Sequence, residues 1–465
     1  MRKEVRSLED DTLEYYARAV EVMKGREEAD PTSWWYQAGM HGSHLEPREL
    51  YNQCKHGSWY FLSWHRMYLY YFERIVRAAV VEVGGPEDWA LPYWNYGLNG
   101  EFASIPDAFR QNGGNPLYVE QRAPGINEGA IMPPEVTTDE VAMGRPQFIG
   151  VAEFGGGEAP PNEQFWGQAG ALEQTPHNVV HVVVGGPGGW MTDPDEAAKD
   201  PIFWLHHANI DRIWAEWAVT HPKPEDPNWL DQRFEFFDVD KEKASLSCEQ
   251  VLDTIQNLEY TYDVIPGIPP EPPAEQPSGE AEEPAPTTSE EAYGGGKVVG
   301  ASEKVTLTGS TEAVPVSIDN RAQGEVQEAS RVSDPRRLYL NIEDIEGEQN
   351  PGTAYGVYVN LPENPDAETM AKHHVGNVSF FGIERARNPR GDEHGHNLRY
   401  SMEVGELLRS LGGGEDFGEE EVRVTFRPLS LAPPEGKTEE SFRAAAPPAE
   451  DPPVQIGRVS LSVDS

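Results

Sequence analysis

Two of the histidines in this chain sit on apolar helical stripes, and that placement constrains the fold more than any other feature. His65 lies on the stripe His65, Leu69, Phe72, Val76, Ala79, and His207 lies on the stripe Phe203, His207, Ile210, Trp214, Trp217. An apolar stripe at helical spacing faces a core, so each imidazole on it must point inward. His177 and His181 are four residues apart, one turn along one helix face. With His41 and His56 these residues form two triplets: His41, His56, His65 in MHGSH and CKHGSWYFLSWHR, and His177, His181, His207 in PHNVVH and DPIFWLHHANIDRIW. The simplest arrangement is a mainly α domain with a central four-helix bundle holding a metal pair. Neutral imidazole nitrogens suit copper in either oxidation state. Two three-histidine sites face to face would form a dicopper site with open positions where dioxygen can bridge.

The chain has 465 residues, enough for two to four domains. Residues 1–265 read as mostly helical. Ser7 opens an S-x-x-D capping box before Leu13, Tyr16, Val20 and Met23, and the Gly/Pro-rich stretch 97–162 reads as loops around the site entrance. Composition changes at PGIPPEPPAEQPSGEAEEPAPTTSEEAYGGG, which cannot fill a core, so 266–300 is expected to be an extended, exposed linker. In 301–465 the segments LYLNIED, AYGVYVNL, GNVSFFGIE, EEVRVTFRPLSL and VQIGRVSLSV predict strands and a β-sandwich C-terminal domain.

A formal charge of −42 disfavours nucleic acid and anionic membranes as partners. No run of about 18 apolar residues predicts a membrane span. No apolar stretch follows the start MRKEVRSLEDDTLEYY, so no signal peptide is expected. A cytoplasmic location follows as the expectation, with export beside a partner left open. Two cysteines, Cys54 and Cys248, are no disulfide framework, although one bridge between them is an option.

Over nearly all of residues 1–265 these motifs resemble the type 3 copper proteins of the tyrosinase and polyphenol oxidase family. The resemblance implies His41, His56 and His65 on one copper and His177, His181 and His207 on the other. It leaves His44 in a loop, His206 in packing behind the ligands and His221 at the surface. Cys54-Lys55-His56 resembles the family's Cys-x-His, in which the cysteine joins the imidazole by a thioether; a free buried thiol is the alternative. Phe203 is expected to pack on the imidazoles and Asp211 to orient a ligand ring, with a surface ion pair as the alternative. Arg2 and the Tyr260-x-Tyr262 pair resemble the family's N-terminal arginine and closing tyrosine motif, which places a boundary near residue 265.

The implied activity is copper-dependent oxidation of small phenols by dioxygen, both ortho hydroxylation of monophenols and oxidation of o-diphenols to o-quinones. Glu173 and Asn178 match the glutamate and asparagine that hold a water acting as base toward the incoming phenol, with the carboxylate ionised near neutral pH. Met191 is the candidate gate residue; packing is its alternative. The C-terminal domain resembles that of plant polyphenol oxidases. It is therefore expected to shield the entrance and keep the enzyme latent, with a protease cutting the linker as activator. Phe380 or Phe381 is the residue expected over the site, with a strand core as the competing role. His373, His374, His394 and His396 read as solvated loop residues. Rival readings are a catechol or o-aminophenol oxidase without monophenol hydroxylation, a haemocyanin-like dioxygen carrier and, more remotely, a dizinc hydrolase.

Overall fold

A computed structural model of the chain describes residues 1–9, 11–162, 167–265, 296–329, 336–387, 398–411, 421–434, 436–438 and 451–464. Residues 266–295 of the expected linker, Asp10 of the capping box, His394 and His396 lie outside the described residues.

Four helices surround the histidines: α2 (Trp34–His41), α3 (Phe61–Glu82), α4 (Val179–Gly185) and α5 (Pro201–Trp217), with α1 (Thr12–Gly25) packed on α3. Each begins or ends where local chemistry dictates. The Ser33 hydroxyl accepts the Tyr36 N–H and starts α2. Asp200 accepts the Ile202 N–H ahead of Pro201 and starts α5. Helix α1 begins at Thr12, later than the Ser7 box, because the Glu4 carboxylate instead takes the Arg6 and Ser7 N–H groups in a single 3-10 turn. Its buried face is Tyr16, Ala19, Val20 and Met23, the spacing of a core-facing stripe.

The stretch 97–162 consists of short turns, as expected, but it is packed into the core. Phe109, Leu117, Ile126, Met132, Phe148 and Phe154 are all buried. Arg122 fastens part of it: its guanidinium grips Asp200 at 2.8 and 2.7 Å and donates to the carbonyls of Phe109 and Leu117. Both partners are fully buried, so the pair is bidentate and charge-assisted, the strong kind of ion pair.

A hairpin of β1 (Arg233–Phe237) and β2 (Lys243–Ser247) lays Phe234 and Phe236 on Tyr60 and Trp64. The C-terminal part contains β3 (Gly296–Ala301), β4 (Val305–Leu307), β5 (Glu312–Ile318), β6 (Leu338–Glu346), β7 (Tyr355–Val359), β8 (His374–Val378), β9 (Leu398–Glu403), β10 (Glu421–Pro428) and β11 (Val454–Asp464). Strand β3 begins five residues before the expected start at 301. The expected sandwich faces belong to one nine-stranded sheet, ordered β8-β7-β10-β5-β3-β11-β6-β9 with β4 on β11. It curls until its two edges approach: the Tyr400 hydroxyl in β9 donates to the Ser379 carbonyl just past β8 at 2.5 Å. Near-closure pairs or covers the edges that an open sheet would expose. The segment GNVSFFGIE stays in the sheet only to Val378; a turn with Gly382 at φ +80° then leads into a short helix, Ile383–Arg387.

The two parts have separate cores, and among the described residues two fully buried C-terminal residues cross over, with Leu429 and Leu431 partly buried beside them. Phe380 packs in the sheet core, whereas Ala354 and Phe381 belong to the helical core. Arg145–Glu403, Arg337–Glu153 and Arg385–Asp195 ion pairs join the parts at the seam. His373 and His374 are not solvated loop residues: His373 ends a short helix and bonds the Val359 carbonyl at 2.7 Å, while His374 opens β8 and bonds Asn377 at 2.9 Å. No described helix is long and apolar enough to cross a membrane.

Candidate metal centre

The six histidines of the two triplets converge. Within the first triplet the ring centroids of His41, His56 and His65 are 5.1 to 5.5 Å apart, and within the second those of His177, His181 and His207 are 4.6 to 5.4 Å apart. The trios face each other: His65 stacks on His207 at 4.5 Å, and His56 lies 5.7 Å from His177. Phe203 packs between them, 4.9 Å from His41 and 4.2 Å from His207.

Ring orientation at His41, His65, His177 and His181 is set by oxygen acceptors behind the rings. Nδ1 of His41 meets the Pro194 carbonyl at 2.9 Å, that of His65 the Phe61 carbonyl at 2.8 Å, that of His177 the Asn178 side-chain oxygen at 2.8 Å, and that of His181 the Met191 carbonyl at 2.8 Å. A proton on each Nδ1 leaves the Nε2 lone pair directed inward, the tautomer that metal ligation requires. Burial pushes all six rings toward the neutral form, His65 and His181 down to about 3.

Inward-facing lone pairs without donors are the test of fit. Nε2 of His41 and of His65 are buried without a hydrogen-bond partner. Nε2 of His207 stands 3.3 Å from that of His177 and 3.2 Å from that of His181. Ligand nitrogens about 2 Å from a shared metal ion are separated by about that distance. The donor set is all imidazole among the six, which favours copper over magnesium or calcium. The residues present fit the group.

Glycines make the close approaches possible. A Cβ at Gly42 would stand 2.3 Å from the Pro194 carbonyl oxygen, the one that orients His41. Gly57, at φ +62°, turns the chain after His56 so that its N–H donates to Glu173 Oε1 at 2.7 Å.

Glu173 is fully buried, and its second oxygen, Oε2, has no partner. Burial pushes its carboxyl up to about 8, against the expectation of an ionised group near neutral pH, although the Gly57 and Ser58 N–H groups pull it down. The positive charge of metal ions held by the neighbouring histidines would lower it further. Glu173 and Asn178 line one small cavity together with His56, Gly57, Phe381, Arg399 and Tyr400.

Several expectations change. Asp211 does not orient a ligand ring: Arg66, Arg2, Tyr260 and Tyr262 take its oxygens at 2.5 to 3.0 Å. One turn past His207 the helix has left the metal pocket and faces the closing motif. There Arg2 lies 3.8 Å over the Tyr260 ring and pairs with Glu73 at 2.6 Å. Cys54 and Cys248 are both free, so no disulfide joins them. Cys248 bonds the Ser63 hydroxyl, whereas the Cys54 sulfur and ring nitrogens of His41 and His56 lie within 4.8 Å of one another. Met191 is fully buried and serves His181 through its carbonyl. The residue standing over the second triplet is Phe381, stacked on His181 at 4.4 Å and 24° and edge-on to His56 and His177. His206 stacks on His177 at 5.3 Å, His44 pairs with Asp193 at the surface, and His221 stacks on Trp217. The sequence reading missed Arg399 and Tyr400, which reach the cavity from the far end of the chain.

Comparison with known proteins matches this geometry. The common central domain of tyrosinase matches residues 31–150 and 157–220, the polyphenol oxidase middle domain 223–269, and a domain of unknown function, DUF7868, 296–463. Tyrosinase HcTyr1 of Hahella sp. (strain CCB-MM4) is 33% identical over 92% of this chain and 95% of its own length. The latent form of chloroplastic polyphenol oxidase from Prunus armeniaca is 25% identical over 90% of this chain and 71% of its own. Solved structures of a latent aurone synthase and of latent apple tyrosinase, each 22% identical, share the fold across the whole chain with TM-scores of 0.64 and 0.63, covering 89% and 97% of those chains. This chain therefore belongs to the tyrosinase and polyphenol oxidase family, copper oxidoreductases that act with dioxygen at a two-copper site.

Proposed function

We propose that this chain is a latent phenol oxidase that converts monophenols and o-diphenols to o-quinones. A monophenol and O2 give an o-quinone and water; two o-diphenols and O2 give two o-quinones and two waters. His41, His56 and His65 would hold one copper and His177, His181 and His207 the other. When bound, the copper pair supplies a two-electron redox centre that takes up dioxygen.

The observation that carries the monophenol step is the unpartnered Glu173 Oε2, buried in the cavity that also contains Asn178 and His56. A monophenol must lose its proton before it can react, and a carboxylate and an amide flanking one water are suited to receive it. The Phe381 ring marks where a phenol would lie, since an aromatic ring already stacks there on His181.

The test is paired turnover of 4-methylphenol and 4-methylcatechol by the copper-loaded chain, before and after limited proteolysis in 266–295. Both should be oxidised after cutting; oxidation of the catechol alone would make the protein a catechol oxidase. In the uncut chain, Phe381→Ala should raise 4-methylcatechol turnover about 10- to 100-fold. That factor corresponds to the roughly 1.5–3 kcal/mol by which a buried phenyl ring outcompetes a substrate.

A Cys54–His56 thioether is part of the same proposal, supported by the proximity of the two side chains. Forming the C–S bond removes the thiol hydrogen and one ring hydrogen, a two-electron oxidation in which dioxygen is the oxidant and leaves as hydrogen peroxide. The intact mass should fall by two hydrogens while, after denaturation, iodoacetamide still alkylates Cys248. Alkylation of both cysteines would exclude the bond.

A further inference from the structure

The segment that carries Phe381 enters the helical part a second time, four residues later. Arg385 stands on the short helix Ile383–Arg387, and each nitrogen of its guanidinium meets a partner across the seam. Nε donates to Asp195 Oδ2 at 3.1 Å, Nη2 to the other Asp195 oxygen and to Asn52 Oδ1 at 2.8 Å, and Nη1 faces the Cys54 sulfur at 4.0 Å. Asp195 follows Pro194, whose carbonyl orients His41, and Asn52 lies two residues before Cys54. One planar fork therefore ties together two loops that flank the first triplet, and its grip on Asp195 fixes where the remaining N–H points. The main chain before Cys54 is held independently, since the N–H groups of Asn52 and Gln53 bond the Gly39 and Met40 carbonyls of α2. Those bonds do not choose among the three staggered positions of the Cys54 side chain. Cys54 is fully buried, with its sulfur within 4.8 Å of ring nitrogens of His41 and His56.

We propose that Arg385 is a positioning residue for the Cys54–His56 thioether, so that the sheet domain helps to build the centre before it shields it. The N–H facing Sγ favours the rotamer that keeps the sulfur beside the His56 ring. There the S–H and one ring C–H bond break and the C–S bond forms, while dioxygen takes the two electrons and two protons and leaves as hydrogen peroxide. Once made, the covalent bond holds the sulfur without Arg385, and the sheet domain is dispensable for that purpose. This inference rests on the thioether proposed for this chain.

In the experiment, full chain produced without copper is loaded with copper(I) under anaerobic conditions, exposed to air and quenched at intervals. The two-hydrogen mass loss is followed with copper content measured in parallel. Arg385→Met is the test variant, because Asp195 keeps His44 at 3.5 Å and Asn52 keeps the Ser43 N–H at 2.7 Å. It should slow cross-linking about tenfold or more at unchanged copper content, the order of penalty for a displaced reacting atom. Arg145→Met breaks the seam pair with Glu403 away from Cys54 and should stay within about twofold of the parent chain. Equal slowing in both variants would trace the effect to a loosened seam, and lost copper in Arg385→Met would trace it to metal binding; either result overturns the proposal. Cross-linking of Arg385→Met at the parent rate overturns it too, and leaves the thioether standing. If the parent chain keeps its full mass and both cysteines alkylate after denaturation, the thioether reading itself fails, and this inference with it.

Discussion

Glu173→Gln should reduce 4-methylphenol hydroxylation about 10²- to 10³-fold while leaving 4-methylcatechol oxidation within about threefold. Glutamine has the size of glutamate and keeps an oxygen for the Gly57 N–H bond at 2.7 Å, so the loop carrying His56 stays in place. What disappears is the basic oxygen, Oε2, which has no other partner to satisfy. Stopped-flow or oxygen-electrode rates on both substrates, with copper content measured in parallel, separate the two roles. Equal loss on both substrates at full copper content would assign Glu173 to holding the His56 loop and not to proton transfer.

Asp211→Ala should destabilise the helical domain by about 3–5 kcal/mol, because it leaves Arg66 buried without its carboxylate. For a domain of this size that is a fall in melting temperature of roughly 6–20 °C. Burial alone would push the Asp211 carboxyl up, yet Arg66 and Arg2, with the Tyr260 and Tyr262 hydroxyls, hold it below the usual range. Arg66 also stacks 3.4 Å over Trp214, so its guanidinium cannot swing out to water without breaking a second contact. Arg2 keeps Glu73 and suffers less. By contrast, Lys241→Ala breaks a pair with Asp30 in which the lysine side chain is 54% exposed, and should cost under about 1 kcal/mol. Calorimetry on both variants checks the contrast; similar losses would mean that the Asp211 network is not a stability determinant.

Much of the centre was legible because ligand spacing is a local property. His65 and His207 sit on apolar stripes, and a helix that buries such a stripe must carry the imidazole inward. His177 and His181 share a face through one helical turn. The Arg2 and Tyr260-x-Tyr262 pairing came from the family resemblance and not from local spacing, and Arg2 does lie on Tyr260 although the two are far apart in sequence. The change to alternating, β-branched segments marked a sheet domain, though not its single curled sheet: closure depends on pairing between strands far apart in sequence. Strands β3, β4 and β9 escaped notice, being short or only weakly alternating, and β5, which alternates, carries Pro315 at its middle, where a proline argues against an inner strand.

Residue chemistry and helical periodicity determined inward imidazoles at His65 and His207, a shared face for His177 and His181, and a helical bundle followed by a β domain; the family resemblance added His41 and His56. Only the tertiary structure decided which acceptor stands behind each ring, because the Pro194 and Met191 carbonyls reach His41 and His181 through loop paths with no periodicity. It also decided between two adjacent phenylalanines. Phe380 and Phe381 are chemically identical and point to opposite sides of one turn, so the sheet's docking onto the bundle, and not composition, sends Phe381 to the histidines. The partners of Asp211 and the place of Tyr400 in the cavity beside Asn178 were settled in the same way, by bringing together segments about 50 to 220 residues apart, where local propensity carries no information.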